Sequence, residues 1–223
     1  MDNSRTELLI GKENIDKIKR AKIAIVGAGG VGGNLAVLLV RSGVENLTIF
    51  DFDKVESSNL NRQAQAFIDT IGLVKVDALR EYLHKINEKA KIDAINVKLT
   101  KDNIERYIQN FDIVVDAIDI VSDKIELICY CIEKGIKIVS AMGAGNRIDS
   151  PKFIVEDIYK THDDGLAKVL RKNLKLRGIK RHDVVYCPSK PLKTDGKIGS
   201  ISYYPMACAC IIASYVVNFI IGS

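Results

Sequence analysis

A glycine-rich turn between a short apolar strand and an apolar helix constrains the fold of this chain more than any other sequence feature. Residues 22–26 (KIAIV) are predicted to form a buried strand, residues 27–33 (GAGGVGG) the turn, and residues 34–42 a helix. Such a turn carries G-x-G-x-x-G spacing, which lets the backbone approach a phosphate at a helix N-terminus. The candidate nucleotide-contacting glycines are Gly27, Gly29, Gly30 and Gly32.

Strands and helices continue to alternate as far as residue 150. Predicted strands cover residues 46–50, 91–97, 112–117 and 137–141, and predicted helices cover residues 7–20, 75–86, 102–109 and 124–134. This alternation predicts an α/β fold with a doubly wound, Rossmann-like sheet and a helical and loop C-terminal extension. Ligands of such sheets bind at the carboxyl ends of the strands. The turns after Val26, Phe50, Ala117 and Ala141 are therefore expected to form the site.

Length and composition favour one folded domain. The chain has 223 residues, of which 47% are apolar. We divide it into an N-terminal helix (1–20), a nucleotide-binding core (21–150), and a basic helix, loop and apolar helix (151–223). The five cysteines form no C-x-x-C pair, which argues against a four-cysteine zinc site and favours a reducing, cytoplasmic location. The pairs Cys129/Cys131 and Cys208/Cys210 are interpreted as buried small residues.

The C-terminal part contains a basic segment and an uncharged apolar segment. Residues 160–197 include 11 Lys or Arg against 4 Asp or Glu. This charge fits a surface that contacts nucleic-acid phosphates or a solvated helix face, and charge alone does not choose between them. Residues 206–221 carry no charge, but these 16 residues are fewer than the roughly 20 that span a bilayer. A core or dimer-interface helix is favoured over peripheral or C-terminal membrane association.

Three carboxylates are expected at the same edge of the sheet. Asp51 ends the second strand, where an acidic residue receives ribose hydroxyls, Asp53 lies two residues later, and Asp119 ends another strand. Together they would repel a polyphosphate unless one held the ribose and others held Mg2+. The glycine turn and Asp51 alone fit an NAD enzyme equally well.

Polar residues after the second strand distinguish the two kinds of nucleotide. Asn59 and Arg62 are three residues apart after the candidate cap residue Ser58, so a helical turn would bring them to one face. An amide and a fork-shaped cation suit phosphates undergoing transfer. Lys75 opens a helix, where a cation opposes the helix dipole and marks a functional position. The combination favours cleavage of ATP, although each residue alone also fits a solvated surface.

Taken together, these motifs resemble the ubiquitin-activating-like (ThiF/MoeB/HesA) adenylating enzymes. The resemblance rests on G-x-G-G-x-G, on D-F-D-x-V-x-x-S-N-L-x-R-Q, on G-x-x-K and on D-A-I-D, and it covers about residues 5–150. It implies that Gly29 lies against the nucleotide, that Asp51 holds the ribose, and that Asp119 binds Mg2+. The predicted catalytic residues are Arg62, Asn59, Lys75 and Arg5, and the predicted nucleotide site also includes Asp53 and Ser58.

The same resemblance implies a homodimer, because Arg5 matches an arginine that family dimers donate to the partner's ATP site. Ile120 stands where the family usually has an asparagine after the metal-binding aspartate. This departure concerns the geometry of the metal site.

One branch of the family matches further along the chain. The matching segments are DIVSDK (119–124), GAG (143–145), DIYKT (157–161), VVYCPSKP (184–191) and GSISYYP (199–205). That branch acts on tRNA and cyclises the threonylcarbamoyl group on the adenosine beside the anticodon. The resemblance implies an ATP-dependent dehydratase that activates a carboxylate, with Mg2+, a monovalent cation, a tRNA substrate and the sulfur-relay protein that some relatives use.

Three alternatives stay open at this point. The first, an adenylating enzyme that activates the C-terminal Gly-Gly of a sulfur-carrier protein, is disfavoured by the missing zinc motif and the basic segment. The second is an NAD-dependent oxidoreductase, in which Asn59 and Arg62 would have no evident function. The third is a non-catalytic module that binds tRNA or a membrane. Cys187 is interpreted as a loop cysteine rather than a thioester-forming nucleophile.

Overall fold

We describe the protein from a computed structural model, which defines residues 1–196 and 198–222. Within these residues, seven strands form one sheet in the order β3-β2-β1-β4-β5-β7-β6. The strands are β1 (Lys22–Val26), β2 (Asn46–Asp51), β3 (Lys91–Asn96), β4 (Ile113–Asp116), β5 (Lys137–Ala141), β6 (Ile154–Asp157) and β7 (Asp183–Tyr186). Neighbouring strands are parallel except β6 and β7, which pair antiparallel.

Helices cover both faces of the sheet. The helices are α1 (Ser4–Ile10), α2 (Lys12–Arg20), α3 (Gly30–Arg41), α4 (Lys75–His84), α5 (Ile104–Tyr107), α6 (Val121–Glu133), α7 (Gly165–Leu176) and α8 (Tyr203–Ile221). One hydrophobic core lies between the sheet and α2, α3, α4 and α8, and a second lies between the sheet and α5, α6 and α7. The predicted doubly wound α/β fold is confirmed.

The strand order reverses between β1 and β4, and this reversal creates the crevice in which such sheets bind ligands. Successive residues of β1 alternate between the two cores, with Ile23 and Ile25 on one face and Ala24 and Val26 on the other. The strand is buried on both sides, as its uninterrupted apolar sequence predicts.

Three parts of the predicted architecture are wrong. The helix predicted over residues 34–42 begins at Gly30, within the predicted turn. The single helix over residues 7–20 is two helices, because Gly11 has φ +82° and interrupts the helical hydrogen bonding between α1 and α2. The alternation does not end near residue 150, since β6 and β7 extend the sheet. Both strands have only four residues, and burial does not alternate along either of them, so neither shows the period-two pattern of a strand in sequence. Lys197, which belongs to the predicted basic segment, lies outside the described residues.

The apolar C-terminal segment forms α8, which begins three residues earlier than predicted. By length and composition α8 could cross a membrane, but Cys208, Ile212 and Val216 are buried in the core that it shares with α3. This packing agrees with the predicted core helix. The interpretation of the cysteine pairs as buried is correct for Cys129, Cys131 and Cys208 and wrong for Cys210, which is exposed on α8.

Candidate active site

The glycine turn connects β1 to the N-terminus of α3. Gly27 has φ +101°, and a Cβ there would lie 2.6 Å from the carbonyl oxygen of Ala117 after β4. A Cβ at Gly32 would lie 1.8 Å from the carbonyl oxygen of Gly27, so these two glycines allow the turn to close. Gly29 precedes α3 and has no atom within 4 Å of its Cβ direction. The backbone at Gly29, the residue before the first turn of α3, is therefore open toward a ligand, as in helix N-termini that bind phosphate.

Asp51 joins the end of β2 to this turn. Its Oδ2 accepts a hydrogen bond of 2.6 Å from the backbone N–H of Ala28, and its Oδ1 accepts one of 2.8 Å from the N–H of Asp53. The carboxylate is half-buried, so its position is fixed while part of it faces solvent. The structure thus brings Asp51 beside the glycine turn, as the sequence predicts.

Asp53 and Lys75 form an ion pair at the same edge. Lys75 Nζ lies 2.7 Å from Asp53 Oδ2, and the backbone N–H of Lys75 also donates to the carbonyl oxygen of Asp53. The Lys75 side chain is 9% exposed, whereas that of Asp53 is 50% exposed. Lys75 is the first residue of α4, as predicted, and its ammonium group is held against an aspartate rather than free in solvent.

Asn59 and Arg62 meet at Ser58. Arg62 Nη1 donates 2.8 Å to the carbonyl oxygen of Ser58, and Asn59 Nδ2 lies 3.3 Å from Ser58 Oγ. Asn59 is buried and its Oδ1 also accepts from the N–H of Glu56, so its amide stabilises the turn that presents Arg62. A Cβ at Gly30 would lie 3.3 Å from Arg62 Cγ, which places the arginine over the glycine turn.

Two buried amide side chains, which the sequence analysis missed, attach the segment that carries Arg62 to the glycine turn. Asn34 Nδ2 donates to the carbonyl oxygens of Gly30 (2.6 Å) and Arg62 (2.9 Å). Gln65 Nε2 donates 2.6 Å to the carbonyl oxygen of Ala28. A polar residue within an otherwise apolar helix start is the signal that could have identified Asn34.

Asp119 lies on the other side of the turn, exposed after the end of β4. The segment before it is fixed by a buried lysine that the sequence analysis did not single out. Lys124 Nζ lies 2.9 Å from Asp116 Oδ2 and donates 3.0 Å to the carbonyl oxygen of Ile118. Asp116 Oδ1 accepts from the N–H of Ile118 at 3.1 Å. Asp116 and Lys124 therefore fix the backbone N–H and the carbonyl oxygen of Ile118, the residue before Asp119.

Arg147 connects three loops at this edge and was also missed. The guanidinium is buried and donates to the carbonyl oxygens of Gly143, Ser189 and Cys187, at 3.0, 3.0 and 3.3 Å. It also donates to Asp163 before α7. From Ser189 the chain continues to Ser200, whose carbonyl oxygen accepts 3.0 Å from Asn61 Nδ2 beside Arg62. Through Arg147 and the Asn61–Ser200 hydrogen bond, the loops after β5 and β7 form a rim beside the segment that carries Arg62.

Arg5 is the one predicted site residue that the chain does not bring to this edge. Asn3, two residues before Arg5, has its side chain near Gly43, which follows the C-terminal end of α3. The glycine turn is at the N-terminal end of that helix, about 18 Å away for twelve residues. Arg5 itself is exposed.

Cys187 lies at the end of β7 in the hydrophobic core. Its Sγ is 2.9 Å from Ser189 Oγ. Burial opposes ionisation of this thiol, but hydrogen bonds from Ser189 and the Lys152 backbone, together with the charge of Arg147, outweigh it, so the pKa of Cys187 is below its usual value. The buried position agrees with a structural cysteine.

Comparisons with known proteins agree with this geometry. A model of the ThiF family matches residues 3–223. The tRNA threonylcarbamoyladenosine dehydratase of Bacillus subtilis is 38% identical over 191 residues, 85% of this chain and 75% of the relative. The crystal structure of the Escherichia coli tRNA N6-threonylcarbamoyladenosine dehydratase in complex with AMP has 31% identity and a TM-score of 0.94. That match covers 98% of this chain and 93% of the other.

A yeast tRNA threonylcarbamoyladenosine dehydratase 2 is 38% identical over 186 residues. The match takes in 82% of this chain but spans only 42% of the yeast protein.

Proposed function

The chain belongs to the ThiF family, and on that premise we propose that it is an ATP-dependent tRNA-modifying enzyme that dehydrates N6-threonylcarbamoyladenosine. The observation that carries the proposal is the similarity to dehydratases of this kind along the whole chain, including the C-terminal third beyond the nucleotide motifs. ATP binding is consistent with the glycine turn, Asp51 and Arg62 at one edge of the sheet. A tRNA substrate implies a cytoplasmic enzyme.

The proposed reaction activates a carboxylate that is otherwise a poor acyl donor. A carboxylate oxygen of the threonine attacks the α-phosphorus of ATP, and pyrophosphate leaves. A nitrogen of the carbamoyl group then attacks the acyl carbon, the bond from this carbon to the AMP oxygen breaks, and the nitrogen loses its proton. The modified nucleoside has lost one water, whose oxygen remains on AMP. Because both groups belong to one nucleoside, proximity lowers the barrier to ring closure.

We assign the phosphate contacts to Arg62, Asn59 and Lys75 and the ribose contact to Asp51. Fixed cations and hydrogen-bond donors that meet the charge developing on phosphates usually lower the barrier of such reactions more than any other effect. Lys75 is already positioned by Asp53, so little reorganisation precedes phosphate binding. Ser58 completes the site through its contacts with Asn59 and Arg62.

We assign Mg2+ to Asp119. Mg2+ is commonly held through one or two carboxylates together with substrate phosphates, and the exposed Asp119 offers one. Over the described part of the chain no group of three or more His, Cys, Asp or Glu could hold a metal ion, which fits a cation bound mainly by substrate oxygens. When bound, the cation would neutralise charge on the phosphates. A requirement for a monovalent cation and a sulfur-relay partner remain predictions from the resemblance.

We further propose a homodimer in which Arg5 reaches the partner's site. Leu8 and Leu9 on the same helix are 82% and 83% exposed, an apolar face that a second copy would cover. The distance between α1 and the glycine turn of the same chain fits donation to a partner. Membrane association of residues 206–221 stays the disfavoured alternative, because it would have to keep the buried face of α8 on α3.

The decisive experiment incubates the protein with ATP, Mg2+ and tRNA that carries threonylcarbamoyladenosine, and then measures nucleoside masses. We expect a product lighter by one water. Arg62→Ala should abolish its formation without unfolding the protein, whereas Arg20→Ala, an exposed arginine at the end of α2, should not change it. Full activity of Arg62→Ala would refute the phosphate assignment. Pyrophosphate exchange that depends on a sulfur-carrier protein and not on tRNA would instead support the alternative adenylating enzyme.

A further inference from the structure

The outward face of α7 carries lysines at helical spacing. Ala167, Leu170 and Leu174 are buried in the core on the other side of the helix. Lys168, Lys172 and Lys175 are exposed and lie four and three residues apart, so they share one face over about 10 Å of helix.

The arginines of the same segment are occupied within the fold. Arg171 Nη1 donates 2.7 Å to the carbonyl oxygen of Thr161, and Arg177 Nη1 donates 2.9 Å to Glu126 Oε2. The three lysines, in contrast, have no ion-pair partner among the residues that the structure describes. Their positive charge is therefore available to a ligand.

The lysine face is rigidly connected to the candidate active site. Asp164 caps α7 by accepting from the N–H of Ala167, and its other oxygen accepts 3.0 Å from the N–H of Gly143 after β5. Arg147 donates both to Gly143 and to Asp163, which joins the start of α7 to the rim of loops described above. The N-terminal end of α7 thus lies at the catalytic edge, and the lysines lead away from it.

We propose that Lys168, Lys172 and Lys175 bind the phosphate backbone of the tRNA whose modified nucleoside enters the site. The identification of the ligand as tRNA rests on the proposed function. A row of exposed lysines suits a polyanion, because each contact releases condensed counterions. An anionic membrane is the less suitable occupant, since Ala167, Leu170 and Leu174 are buried and the exposed apolar side chains of α7, Val169 and Leu176, offer little area to insert into lipid.

The experiment measures the affinity of the full-length protein for unmodified tRNA by fluorescence anisotropy, between about 50 and 200 mM salt. The variant is Lys168→Ala/Lys172→Ala/Lys175→Ala, in which alanine keeps helix propensity. The matched control is Lys85→Ala/Lys89→Ala/Lys91→Ala, which removes three exposed lysines next to the start of β3, at the opposite edge of the sheet. Both triple variants lose the same net charge.

We expect the α7 variant to bind tRNA at least about 10-fold more weakly than the control, with the slope of log K against log salt reduced by about 2 to 3. Equal affinity and slope in the two variants would overturn the proposal. Loss of binding to anionic vesicles with unchanged tRNA binding would also overturn it. ATP binding should be the same in both. If wild-type protein forms no dehydrated product but tRNA binding depends on these lysines, the proposed function fails while the surface stands.

Discussion

Lys124 Nζ lies 2.9 Å from Asp116 Oδ2, and both side chains are fully buried between β4 and α6. The pair holds the Ile118 residue by its N–H and its carbonyl oxygen. The next residue is Asp119, and the preceding residue, Ala117, contacts the turn at Gly27. An ion pair in the core therefore fixes the segment between the glycine turn and the proposed metal ligand.

We expect Lys124→Met to lower the free energy of unfolding by about 3–5 kcal/mol, because it leaves the Asp116 carboxylate buried without a counter-charge. Urea denaturation measures this loss. Asp116→Asn/Lys124→Met removes both charges and keeps an acceptor for Ile118, so it should be destabilised less than the single variant. A single variant within about 1 kcal/mol of wild type would contradict the account.

Alanine substitutions at two glycines of the turn should separate binding from folding. A Cβ at Gly32 would lie 1.8 Å from a backbone oxygen, whereas Gly29 has open space and a negative φ of −78°. We expect Gly32→Ala to lose several kcal/mol of stability, as backbone strain of this kind does. Gly29→Ala should keep the thermal midpoint of the free protein within a few degrees but weaken ATP binding, measured by calorimetry. Unchanged ATP affinity in Gly29→Ala would place the nucleotide elsewhere.

The proposed dimer predicts complementation between two inactive variants. If Arg5 acts on the partner's site, a mixed dimer of Arg5→Ala and Arg62→Ala contains one intact site and one site that lacks both arginines. Random reassembly of equal amounts should then recover roughly a quarter of wild-type activity. Subunits mixed under conditions that exchange them, followed by nucleoside mass analysis, provide the measurement. No recovery despite demonstrated exchange would show that Arg5 does not act across the interface.

A buried histidine should make stability depend on pH. Burial, with a further contribution from Lys124, lowers the pKa of His182 to about 3. Its Nε2 lies 2.7 Å from Ser140 Oγ. Below about pH 6.5 the unfolded chain binds a proton at His182 that the native protein does not. The contribution of the neutral His182 to the free energy of unfolding is therefore fully present above that pH and is lost as the pH falls toward 3.

When the pH falls from 7 to 5, the free energy of unfolding of the wild-type protein should therefore decrease by about 2 kcal/mol more than that of His182→Gln. His162→Gln is the control, because the His162 side chain is 60% exposed. Equal pH dependence in wild type and His182→Gln would mean that the native fold does not lower the pKa of His182.

Much of the site could be predicted from sequence because its backbone requirements are local. The glycine turn needs positive φ and close approach, which restrict residue type at Gly27 and Gly32, and a strand that is buried on both faces reads as an apolar run. The carboxyl ends of parallel strands meet at one edge, so Asp51 and Asp119 could be placed together without coordinates.

The residues that hold this site in place were decided only by tertiary structure. Lys124 and Arg147 are long cations, which in sequence resemble solvated surface residues, and burial became evident only when Asp116 and three loop carbonyls surrounded them. Likewise, β6 and β7 show no period-two pattern, and their pairing joins residues about 30 apart in the chain. The sequence alone determined which residues are candidates for contact with a nucleotide, because the motifs that identify them are local, whereas long-range packing determined what positions them.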